Sequence, residues 1–188
     1  MDEKASLALL KECRAVLNGH FLLASGQHSD TYFQCARLFE RPEAAGSLLG
    51  ALAAKVRPRG AQVVAGPAIG GIIPAYELAR ALKVRSIYLE KVDGAFTLRR
   101  GFQISTGEKV LVAEDVVTTG GSARDAADAL RKSGAQIVGF AAVVFRGDGN
   151  PFPEGLESMV RMSPKTWKPE ECPLCRERKP LEKPGGVR

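Results

Sequence analysis

Glu114 and Asp115 stand side by side after the apolar run "KVLVA", and Thr118, Thr119, Gly120, Gly121 and Ser122 follow close behind. Two carboxylates accept from hydroxyl groups or help bind a hard cation, while hydroxyls and flexible glycines suit a phosphate, which needs donors and close backbone approach. Lys109 to Val117 is rich in Val and Leu and reads as a buried strand, and the Ala-rich stretch Ala123 to Leu130 reads as a helix. The start of a helix presents unpaired N–H groups and the positive end of its dipole, so Thr118 to Ser122 are expected to hold a phosphate with amides and hydroxyls together. Ser122 with Asp125 resembles a capping box, which predicts Ser122 as the N-cap. The loop lacks the Lys-Ser/Thr pair of a Walker motif, and GxGxxG is absent. On a regular strand adjacent side chains point to opposite faces, so the two acids are expected to reach one ligand only if the chain bends. The alternative is an acidic strand end paired with local Lys or Arg, because buried acids without partners are costly.

The elements that must carry this loop follow from periodicity and breakers. Leu7, Leu10, Val16 and Leu17 share a helical face, which predicts a first helix ended by Asn18 and Gly19. "HFLLASGQHSDTYFQC" reads as two short strands about a Ser25-Gly26 turn. Pro42 opens a helix to about Val56, and Pro58 to Gly60 breaks it. Then come the strand "AQVVA", the loop "GPAIGGII", a helix from Pro74 to Leu82, the strand "RSIYLE", the acid-bearing strand and its helix, and the strand "QIVGFAAVVF". Alternating strands and helices with continuous apolar strands predict an α/β fold whose parallel sheet is covered on both faces.

The 188 residues favour one domain with a small appendage: residues 1–162 as one body and 163–188 as a polar, Pro-rich tail. No apolar run is long enough for a membrane span, and Met1 to Leu10 lacks the pattern of a secretory signal, so a cytoplasmic location is expected. Of the net charge of +6, +4 falls in residues 161–188. With aromatics at 6% and no basic stripe in the body, nucleic-acid binding is not expected.

"VLVAEDVVTTGGS" resembles the binding signature for 5-phosphoribosyl 1-diphosphate (PRPP) in type I phosphoribosyltransferases. The resemblance implies that Glu114 and Asp115 bind the ribose hydroxyls, that Thr118, Thr119, Gly120, Gly121 and Ser122 bind the 5-phosphate, that Val116, Val117 and Lys91 also belong to the PRPP site, and that Mg²⁺ arrives on the diphosphate rather than on protein ligands. "FLLASGQHSDTYFQ" is similar to the N-terminal hairpin of orotate phosphoribosyltransferases, and "DGAFTLRRGFQI" looks like the flexible loop of one branch of them. Residues 1–40 would then form most of a hood, with orotate between Ala24, Ser25 and Gly26, the aromatic pair Tyr32 and Phe33, Thr118, and Arg146, whose planar fork suits a carboxylated base. Gly66, Pro67, Ala68, Gly70 and Gly71 would form the diphosphate loop. The better-known enzymes carry a lysine where Gly70 stands, so Lys91, Arg99 and Arg100 are the expected replacement cations, with Asp115 beside them in catalysis. The alternative for the three is a basic solvated hairpin, and for Arg146 a solvated strand end. The resemblance also implies a homodimer whose mobile loop reaches the partner's site. It leaves two other functions open, transfer to another nucleobase and PRPP-responsive regulation.

Cys172 and Cys175 have CxxC spacing, but Cys13, Cys35, His20 and His28 are far away in sequence. Pro169, Pro173 and Pro180 predict an extended tail, so the pair is expected to be surface thiols or an occasional disulfide on which turnover does not depend, with zinc the alternative, which would need two further ligands such as a second tail in a dimer.

Overall fold

The computed structural model describes residues 1–184. Helix α1 (Glu3–Glu12) starts at Asp2, whose carboxylate accepts from the Ala5 N–H. It ends earlier than its apolar spacing predicts. Arg14 takes φ 54°, a left-handed value that stops a helix, and Val16 and Leu17 open a strand instead. β1 (Val16–Leu22) and β2 (His28–Phe33) form the expected antiparallel hairpin, with Gly26 at φ 80° in its turn.

The short α2 (Ala36–Phe39) leads into α3 (Pro42–Val56), which Pro42 begins and the Arg57–Arg59 turn ends, as the breakers predict. Next come β3 (Val63–Pro67), α4 (Ile72–Leu82), β4 (Arg85–Val92) and β5 (Ala95–Leu98). β6 (Lys109–Val117), α5 (Gly121–Lys132), β7 (Gln136–Arg146) and β8 (Leu156–Met162) complete a six-stranded sheet. Its order is β5-β4-β3-β6-β7-β8, parallel except for the β4–β5 hairpin. That hairpin turns on Asp93 and Gly94, both at positive φ, and occupies the segment expected as a loop.

Alternation along β6 divides the core. Leu111 and Ala113 join Leu48, Leu52 and Leu78 of α3 and α4, while Val110 and Val112 join Ala126 and Leu130 of α5. Both faces of the strand are therefore covered, which explains its unbroken apolar run. No helix among the described residues is long and apolar enough to cross a membrane.

The C-terminal segment departs from the extended tail that its prolines predict. β9 (Thr166–Trp167) pairs with β2 at His28 and Ser29, making a second sheet in the order β1-β2-β9. α6 (Pro173–Arg176) follows with its proline in the first turn, where the missing N–H costs no helical bond. Glu182 then bonds along β1, donating to the His20 carbonyl and accepting from the Leu22 N–H, both at 2.8 Å. Cys172 is 1% exposed and so is not a surface thiol.

Candidate active site

Two cavities meet at the C-terminal end of β6. The inner one, about 460 Å³, lies between the β3–α4 loop and the β6–α5 loop and is lined by Pro67, Ala68 and Gly70 on one side and by residues 114–123 on the other. The hood cavity, about 730 Å³, lies under the hairpin, with Ala24, Ser25, Tyr32, Phe33 and Arg146 in its walls. Asp115, Val116, Thr118 and Thr119 line both, so one ligand with two parts can bridge them.

The acids reach this junction without the bend expected of the strand. β6 stays paired with β7 as far as Val117 opposite Phe145, whereas its pairing with β3 stops at Val112. Beyond that point one edge of β6 is open, and the inner cavity wraps around it to touch both Glu114 and Asp115. Neither acid has a Lys or Arg ion-pair partner among the described residues, contrary to the alternative of an acidic strand end paired with local cations. Burial, reinforced by the neighbouring Asp115 charge, pushes the Glu114 carboxyl up to about 8. Burial also raises Asp115, opposed by the Val116 N–H that donates to its Oδ1 at 2.7 Å.

The glycines set how closely the loops approach these acids. A Cβ on Gly70 would lie 2.8 Å from Asp115 Oδ1, so no side chain, lysine included, fits there unless Asp115 moves. Gly66 and Gly71 of the same loop lie behind the lining and do not face the cavity. On the other loop the expected capping box does not form. Gly120, at φ 79°, is the N-cap of α5, and no side chain caps the helix. Ser122 is thereby carried into the first turn, where its hydroxyl lines the cavity beside amides that no cap satisfies.

Arg146, at the end of β7, is half-buried, and its Nε has no hydrogen-bond partner. Desolvation lowers its pKa, while Tyr32 and Asp30 nearby favour the charged form. It is therefore not the solvated strand end that exposure alone would suggest. Tyr32 is raised by burial first and by Asp115 second, which keeps its phenol neutral. Gly26 shapes the hairpin turn but does not line the cavity.

Lys91, Arg99 and Arg100 are not brought to either cavity within one chain. Arg99 and Arg100 pair with Glu90 at 3.4 and 2.7 Å. Lys91 Nζ lies 5.3 Å from the centre of the Phe96 ring, which itself forms part of the inner wall.

Residues 43–174 match the family model described as the phosphoribosyl transferase domain. The chain is 47% identical over 186 residues to the orotate phosphoribosyltransferase of Caldanaerobacter subterraneus subsp. tengcongensis, covering 98% of each. The chain belongs to the orotate phosphoribosyltransferase family. The orotate phosphoribosyltransferase of Caldicellulosiruptor bescii is 44% identical over 188 residues, again with 98% of each chain covered. Among solved structures, the orotate phosphoribosyltransferase from Aeropyrum pernix superposes with a TM-score of 0.66 at 27% identity, over 82% of this chain and 92% of that one.

Some walls of this orotate phosphoribosyltransferase fold escaped sequence reasoning. Asp148 and Ser163, joined by a 2.8 Å hydrogen bond, and Lys183 close the far side of the hood cavity. They lie in turns and in the C-terminal segment, where no periodicity marks them. His20, His28, Cys172 and Cys175 also come together, and the only sequence signal was CxxC plus two histidines on the same hairpin.

Proposed function

We propose that this chain transfers the 5-phosphoribosyl group of PRPP to N1 of orotate, giving orotidine 5′-monophosphate and diphosphate in pyrimidine biosynthesis. The observation that carries the reading is Arg146: a half-buried guanidinium with an unpaired Nε, in a cavity that adjoins the inner cavity of the β6–α5 loop through Asp115 and Thr118. An orotate carboxylate would give that fork its missing acceptor, with Tyr32 and Phe33 beside the ring. Glu114 and Asp115 would accept from the ribose hydroxyls, while the amides and hydroxyls of residues 118–122 hold the 5-phosphate. Pro67, Ala68 and Gly70 would border the diphosphate.

The inner cavity is lined by carboxylate and hydroxyl oxygens and by no imidazole or thiol, which suits Mg²⁺ carried in on the substrate. Bound there, Mg²⁺ supplies positive charge to the departing diphosphate. The chain's own residues position the two substrates and exclude water. Positive charge that builds on the ribose as the bond to diphosphate breaks is met by Asp115.

Lys91, Arg99 and Arg100 would serve the site of a second copy in a homodimer. Ile69, Ile73 and Tyr76 support this, because they leave an apolar patch exposed around α4. A cytoplasmic setting accords with four free cysteines. A turnover assay with PRPP, Mg²⁺ and orotate, uracil, hypoxanthine or adenine tests the reading. Orotate alone is expected to be consumed rapidly, and equal use of a purine would reject it.

A further inference from the structure

Outside both cavities, four side chains converge where the C-terminal segment crosses the hairpin: His20 on β1, His28 at the start of β2, and Cys172 and Cys175 in and beside α6. We propose that these four residues bind a structural Zn²⁺ ion that ties the hairpin to the C-terminal segment.

The geometry carries the proposal. The four donor atoms all lie within 4.8 Å of one another. His20 Nε2 is 3.5 Å from Cys172 Sγ and 3.7 Å from Cys175 Sγ, and His28 Nδ1 is 3.3 Å from Cys175 Sγ. Zn–S bonds of ~2.3 Å and Zn–N bonds of ~2.0 Å place tetrahedral donors roughly 3.3 to 3.8 Å apart. To admit the ion, the two nitrogens, now at 2.8 Å, need to separate by about half an ångström, and the farthest donors, up to 4.8 Å apart, to close by about one.

Chemistry selects the metal. Two sulfurs and two imidazoles without an oxygen donor disfavour Mg²⁺ and Ca²⁺ and suit tetrahedral zinc. Two thiolates neutralise the ion, and their protons leave to solvent on binding. Three of the four ligands are buried, and the set is complete without an open position, which marks a structural rather than a catalytic centre. The outer contact is also in place. The Lys179 carbonyl, 3.0 Å from His20 Nδ1, accepts a hydrogen bond from an N–H there, the tautomer that leaves Nε2 with a free lone pair.

The kinetic consequence rests on the orotate reading, whereas metal binding does not. His28 follows directly on the hairpin loop that lines the hood cavity, so the ion anchors that loop.

Reduced, tag-free protein should hold about one zinc per chain by elemental mass spectrometry, with two sulfur and two nitrogen neighbours by X-ray absorption. Cobalt exchanged into the site should show tetrahedral d–d bands and a thiolate charge-transfer band. Cys175→Ser, at the more exposed ligand, should remain folded by circular dichroism, lose zinc to a chelator at least ten-fold faster, and raise the orotate KM several-fold. Wild-type chain stripped of zinc by a chelator, then assayed with Mg²⁺ restored, should show the same rise in orotate KM without a substitution. Reduced protein that takes up no zinc on dialysis, an absorption spectrum without sulfur neighbours, or zinc held equally well by Cys175→Ser would overturn the proposal. So would a Cys172–Cys175 disulfide in metal-free protein as isolated. Intact zinc binding without orotate turnover would sink only the orotate reading.

Discussion

At Arg146 the fold holds a guanidinium partly out of water with one donor unused, a cost in the free protein that an arriving carboxylate relieves. Arg146→Gln should therefore lower kcat/KM for orotate roughly 10- to 100-fold, the worth of one or two hydrogen bonds to a charged group. The PRPP KM should stay within about two-fold, since the change lies outside the inner cavity. Initial rates with each substrate varied in turn separate the two effects. Glu114 makes a second prediction. Its carboxyl rises from an ordinary value near 4.5 to about 8 on folding, so the folded chain holds a proton there that the unfolded chain releases. That proton-linked stability is full below the unfolded value and is lost as pH climbs through about 8. The ligand-free wild type should thus lose melting temperature between pH 5 and 8 relative to Glu114→Gln, and its PRPP KM should fall over the same range as the acceptor ionises. Parallel melting curves for the two proteins would refute this. The strand, turn and helix that carry Glu114 to Ser122 were legible because a Val-rich run, two glycines and an Ala-rich stretch are strong local signals. The cap of α5 was not, because Gly120 in a left-handed conformation outcompetes the Ser122 and Asp125 signature.

Among the elements, strands and helices bounded by strong signals were read almost to the residue: α3 between Pro42 and Pro58, and β6 over its Val-rich run. The misses have physical causes. β8 lies at the sheet edge and mixes Glu157, Ser158 and Arg161 with its apolar residues, and β9 has only two residues. α1 was overextended because Val16 and Leu17 keep helical phase past a break that only the backbone of Arg14 reveals. The β3–α4 and β6–α5 loops are held to their strands by glycines, and each can be tested. Gly70→Ala should raise the PRPP KM by about ten-fold or more with little loss of stability, because the added carbon displaces Asp115 rather than core. Gly120→Ala should cost about 1–3 kcal/mol in denaturant unfolding. It combines strain at positive φ with a 2.6 Å approach to Phe152, which is itself stacked on Phe140 at 3.7 Å.

For the whole molecule, two of the cations expected at the site are engaged elsewhere in the isolated chain: Arg99 and Arg100 pair with Glu90 of β4. If they act across a dimer, Arg99→Ala/Arg100→Ala chains mixed with Asp115→Asn chains should recover roughly a quarter of wild-type activity. Half of randomly exchanged dimers are mixed, and each has one intact site. No recovery, with exchange confirmed by mass spectrometry, would refute action in trans. The convergence of residues 20 and 28 on 172 and 175 was illegible for a related reason: nothing local in a sequence reports which distant segments meet. That convergence also bears on synthesis. The hairpin is synthesised well before β9, α6 and the Glu182 bridge that complete its sheet, with the whole six-stranded sheet lying between them in sequence. The six-stranded sheet takes no strand from beyond Met162, whereas the hood sheet is completed only by residues 166–182. During translation, then, β1 and β2 travel with both outer edges unpaired, and a premature stop after β8 would leave them so permanently, a ready template for aggregation.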